Sequence, residues 1–111
     1  MAEETPIGYA SDEQIDAWKN QTKQRKIAEV YTIDDDGNDH VCYLKKPTLD
    51  NLQMLADYAK KSKEMKGLQL LFNTLWLGGS EEVKTDSEMY LSAMTKCEEI
   101  FKPQEAKLKK R

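Results

Sequence analysis

Apolar residues recur at two different spacings along this chain, and the change of spacing divides it. Ile27-Ala28-Glu29-Val30-Tyr31-Thr32-Ile33 is rich in β-branched and aromatic side chains, which suit a pleated strand. His40-Val41-Cys42-Tyr43-Leu44-Lys45 has the same character. Between them, Asp34-Asp35-Asp36-Gly37-Asn38-Asp39 is wholly polar, and Gly37 and Asn38 tolerate positive φ. The two runs predict a β-hairpin. Beyond Pro47-Thr48 the spacing becomes three and four. Leu52, Leu55, Ala56 and Ala59 predict a helix over 49–63. Leu68, Leu71, Phe72, Leu75 and Trp76 form the strongest apolar stripe and predict a helix at the centre of the core. Met89, Tyr90, Ala93, Met94, Cys97, Ile100 and Phe101 predict a last helix over 86–102.

Punctuation refines these elements. Ser11 with Gln14 has the form of a capping box and opens a helix over 12–24, whose apolar face is thin: Ile15, Ala17 and Trp18. So short a helix needs tertiary contacts or a partner. Thr48 is a good N-cap. Met65-Lys66-Gly67 predicts a break, Gly78-Gly79 a helix C-cap, Thr85 with Glu88 a second capping box, and Pro103 a stop. The expected fold class is α+β: an N-terminal helix, one β-hairpin, then a three-helix bundle packed on it. The expected organisation is a flexible arm over 1–10, a single domain over 11–103 and a basic C-terminal tail over 104–111.

A chain of 111 residues suits one domain, and 39% hydrophobic content is enough for a modest core. The net charge of −3 gives no nucleic-acid footprint. Its distribution adds more: residues 1–16 carry five acids and no cation, whereas residues 102–111 carry five cations and one acid. These ends could attract each other, meet separate partners, or stay solvated. No run is long and apolar enough for a membrane span, and the acidic start is unlike a secretory signal, so a cytoplasmic location is expected. Cys42 and Cys97 are read as buried free thiols, with one disulfide as the alternative.

The search for chemistry yields no catalytic, metal or cofactor residue. His40 is the sole histidine and is read as a surface residue beside a turn. His40 and Cys42 share a strand face, but no third group completes a dyad. Gly78-Gly79 lacks both phosphate-loop frames. The acidic turn read as a calcium loop would put Tyr43 where the bidentate glutamate belongs. No aromatic residue follows Phe101, so the basic tail offers no base stacking, and nucleic acid is disfavoured as a partner. Surfaces remain. Trp18, Tyr31 and Tyr43 lie on thinly supported elements and either complete a small core or form a protein interface.

Three stretches in order carry a family resemblance: Tyr43-Leu44-Lys45-Lys46-Pro47-Thr48, then Leu75-Trp76-Leu77-Gly78-Gly79 with Glu81-Glu82-Val83-Lys84-Thr85-Asp86, then the closing helix with its lysine-rich end. Over residues 27–111 this order resembles the tail assembly chaperones encoded among the tail genes of long-tailed phages and prophages. The resemblance implies a non-enzymatic, cofactor-free protein in the bacterial host cytoplasm that binds the tape measure protein during tail morphogenesis. Capture of amphipathic helices in a groove between the Leu52/Leu55 helix and the Met89/Met94 helix would suit such a role. The competing expectation is a structural virion component, a connector or minor tail or capsid protein, that works by homo-oligomerisation.

Overall fold

A computed structural model describes residues 5–101 and 106–111, apart from the side chains of Glu98 and Phe101. The chain is α+β, as its spacing predicts. Helix α1 (Asp12–Thr22) precedes a hairpin of β1 (Ala28–Ile33) and β2 (Asp39–Leu44). Helices α2 (Leu49–Lys60) and α3 (Glu64–Leu75) follow, then β3 (Trp76–Gly79), a single turn α4 (Glu82–Thr85) and the long α5 (Ser87–Phe101). The sheet is antiparallel in the order β1-β2-β3. No helix among the described residues is long and apolar enough to cross a membrane.

The hairpin register sets everything else. Val30 faces Cys42, Thr32 faces His40 and Ala28 faces Leu44, so one side of the sheet is apolar except at its turn end. That side meets Leu71, Phe72 and Leu75 of α3, Val83 of α4, and Met89, Ala93, Met94 and Cys97 of α5. Phe72 lies at the centre of an aromatic group, its ring 5.7 Å from Trp76 and 5.3 Å from Tyr90. Truncating a side chain such as Leu71 here removes about 2–5 kcal/mol. Helix α2 has no fully buried residue and packs on α3 instead. Gly67 permits that approach, because a Cβ there would sit 2.8 Å from the Tyr58 Cβ.

Over β2 and β3, the opposite side of the sheet is covered by what precedes the hairpin. Trp18 of α1 lies 5.2 Å from the Tyr43 ring, and a Cβ on Gly78 would meet the indole at 2.8 Å. Gln24 ties the end of this segment to the chain after β2: its amide accepts from Lys46 N–H (2.8 Å) and donates to Lys46 O (3.2 Å). Within the stretch expected to be a flexible arm, residues 5–10 are bound to the sheet. Ile7 forms a parallel bridge with His40, donating to Asp39 O (2.8 Å) and accepting from Val41 N–H (2.9 Å), and Ala10 N–H donates to Tyr43 Oη (3.0 Å). Residues 1–4, Pro103 and part of the basic tail lie outside the described residues; 106–111 has no regular secondary structure.

Three local expectations are corrected. Gly78-Gly79 is not a helix cap: α3 stops at Leu75 and Trp76–Gly79 extends as the third strand on β2. The break between α2 and α3 falls at 61–63, where Ser62 takes φ 59°, and Met65–Gly67 is helical. Asp86 caps α5 in place of Thr85, its carboxylate accepting from Met89 N–H at 3.0 Å. Of the expected Ser11/Gln14 box, the Ser11 hydroxyl accepting from Gln14 N–H (3.2 Å) is formed. Thr48 is an N-cap as expected, completed by Asn51.

Candidate functional site

Among the described residues, two places carry chemistry beyond packing, and the hairpin contributes to both. The first is its outward face. Alternation along β1 points Glu29, Tyr31 and Ile33 away from the core. Tyr31 is 50% and Ile33 67% exposed; Ile7 and Tyr9, on the segment that pairs with β2, are 44% and 52% exposed. Tyr9 and Glu29 lie close enough to Tyr31 to push its phenol upward, together with the larger effect of partial burial. Tyr31 and Ile33 therefore share the outward face of β1, with Tyr9 close to Tyr31, whereas Ile7 lies alongside β2 on the edge away from β1. β1 is also an outer strand of the sheet.

Of the residues singled out from the sequence, Tyr31 alone is freely exposed. Trp18, Leu52 and Leu55 are half-buried. Tyr43 is fully buried, and Met89 and Met94 are 2% and 4% exposed, so these three belong to the interior. The groove expected between α2 and α5 is corrected: α2 packs on α3, and α3 in turn on α5, so α3 stands between them. Ile7, Tyr9 and Ile33 were missed. The first two sit in a stretch without periodicity, whereas the outward phase of β1 already marked Ile33.

The second place is the buried polar end of the sheet. His40 is not a surface residue: it is completely buried, because its strand phase points inward with Cys42 and Leu44. Its Nδ1 lies 2.7 Å from Ser80 Oγ, just after β3, and its Nε2 lies 2.8 Å from Asp34 Oδ2 at the start of the turn. Glu82 Oε2 of α4 is 3.9 Å from the same Nε2. The second oxygen of Asp34 accepts from Asp36 N–H and Asn38 N–H, each at 2.9 Å. These bonds, the His40 contact foremost, lower the Asp34 carboxyl to about 2. Across the ladder from His40, Thr32 is 7% exposed and its hydroxyl has no hydrogen-bond partner.

Serine, imidazole and carboxylate in series invite comparison with a hydrolytic triad. Here Ser80 is 4% exposed and His40 fully enclosed, so no substrate carbonyl reaches the hydroxyl in this conformation. His40 and Cys42 do share a face, as expected, but both imidazole nitrogens are engaged elsewhere. Burial pushes the Cys42 thiol up to about 12, with Lys84 opposing, and burial does the same to Cys97, also to about 12, with Cys42 adding to it. Both cysteines are free thiols, the opposite of activated nucleophiles.

Comparison with protein-family models, curated proteins and solved structures finds no match to this chain.

Proposed function

We propose that this chain is a non-enzymatic protein-binding domain that engages its partner through the outward face of the hairpin. The observation that carries this reading is the exposure of Tyr31 and Ile33 on one face of β1, with exposed Tyr9 beside Tyr31. Large rings held on a rigid sheet gain contact area at little rotamer cost. Enclosure of Ser80, His40 and both thiols weighs against catalysis. Taken with the family resemblance over residues 27–111, the partner is the tape measure protein of a long-tailed phage, and the role is that of a tail assembly chaperone in the host cytoplasm. The docking face moves from the α2/α5 groove to the sheet, because Met89 and Met94 are core residues.

The test is co-expression with the large coiled-coil-rich protein encoded nearby, followed by sizing of the complex. A soluble stoichiometric complex, weakened at least about tenfold by Tyr31→Ser with Ile33→Ser, is expected, since central aromatic anchors are worth about 2 kcal/mol or more. A partner that is soluble alone and ignores this chain overturns the reading. The outer edge of β1 favours one second reading, a structural virion component that pairs strands with its neighbours. Rings formed by the chain alone, and its retention in purified particles, would establish that reading instead.

A further inference from the structure

We propose that Asp34, His40 and Glu82 form a binding site for a divalent first-row transition cation, with Zn²⁺ the best fit. The three offer one imidazole nitrogen and two carboxylate oxygens, all within 4.8 Å of one another. Nitrogen with carboxylate oxygen is a zinc donor set, and three protein ligands leave a fourth position for water. Tetrahedral coordination at ordinary bond lengths separates ligand atoms by about 3.3 Å. The His40 Nε2–Asp34 distance of 2.8 Å lies on the short side of that spacing, and the Nε2–Glu82 distance of 3.9 Å on the long side. A cation seated between them opens the first contact and closes the second, each by about half an ångström. Glu82 has room for this movement, its side chain being 66% exposed.

What surrounds these groups fits the same purpose. A metal-bound histidine presents a lone pair at one nitrogen and donates its proton from the other. Ser80 Oγ, 2.7 Å from Nδ1, serves either tautomer: it donates when Nε2–H points at Asp34, and accepts when a cation holds Nε2. Asp34 is likewise fixed before any cation arrives, through the N–H groups of Asp36 and Asn38. Beside the imidazole, the buried Thr32 hydroxyl is unpartnered, although buried hydroxyls are ordinarily bonded. A coordinated water would supply that missing partner. The cation would link the hairpin turn, β2 and α4 at one point, clamping the turn end of the sheet to the helical layer.

The experiment uses the full chain stripped with chelator and titrated with Zn²⁺ by calorimetry, with Ca²⁺ and Mg²⁺ as comparators. Co²⁺ serves as a spectroscopic substitute. The expected result is one site per chain, selective for Zn²⁺ over Ca²⁺ and Mg²⁺, and a Co²⁺ visible band of tetrahedral form. Glu82→Gln lies at an exposed position and is expected to keep the fold while losing at least about tenfold in affinity; Ser80→Ala, which acts by holding His40, loses about tenfold. A chain that binds no Zn²⁺, or that binds it equally well after Glu82→Gln and Asp34→Asn, overturns the proposal. His40 and Asp34 would then be a hydrogen-bonded pair alone.

Discussion

Asp34 gathers four hydrogen bonds on one carboxylate: from the N–H groups of Asp36 and Asn38, from the Asn38 amide at 3.4 Å, and with the His40 imidazole. Its folded carboxyl is lowered from 3.8 to about 2, so folding favours the ionised form. The resulting stabilisation is complete above pH 3.8 and is lost as pH falls through about 2. Urea denaturation in the presence of chelator should therefore show the native chain losing stability over this window. Asp34→Asn, which keeps a turn acceptor but not the charge, should be less stable at neutral pH and converge on the native chain near pH 2. Parallel curves across the window would mean that the carboxylate charge carries none of this. The acidic turn itself is legible in the sequence, bounded on both sides by strand-like runs. The burial of His40 was misjudged. Its phase along β2, two residues from Cys42, was the available signal, but Ser80 and Glu82 lie about forty residues away and no local pattern announces them.

Among the elements, those with sustained periodicity were readable: the hairpin, α2, α5 and the Thr48 cap. β3 was not, for a physical reason. It has four residues, two of them glycine, and the stripe of α3 runs on through Trp76 without a change of spacing. Glycine is used in β3 for closeness rather than for ending a helix. A Cβ on Gly79 would lie 2.5 Å from Val41 O and 2.6 Å from Cys42 Cα, at φ +123°. Gly37 offers the contrast: φ is +84°, but no atom lies within 4 Å of its would-be Cβ. Gly37→Ala should cost about 1–2 kcal/mol, the left-handed backbone penalty alone. Gly79→Ala adds collision with backbone that cannot turn aside and should cost more than about 3 kcal/mol. Chemical denaturation of the two variants side by side checks the ranking. Equal losses would show that β3 can withdraw from β2 cheaply, and that the sheet is in effect the hairpin alone.

At the scale of the whole molecule, the core is one cluster that draws on both layers, and each layer contributes one thiol to it. Cys42 belongs to the central strand and Cys97 to α5, and both belong to the same buried cluster. Each is free and pushed up to about 12 by burial, so both are thiols and not thiolates at pH 8. Reaction with a thiol reagent must then wait for an opening that admits water between the sheet and α5. If the sheet and helices hold together as one cooperative unit, that opening is global unfolding. Cys42 and Cys97 should then be labelled at the same rate by mass spectrometry, and the rate should rise in step with the unfolded fraction as urea is added. Labelling of Cys97 ahead of Cys42 would instead identify α5 as a part that lifts while the hairpin stays paired. A second apolar surface, beneath α5, would then be uncovered in addition to the exposed face of β1.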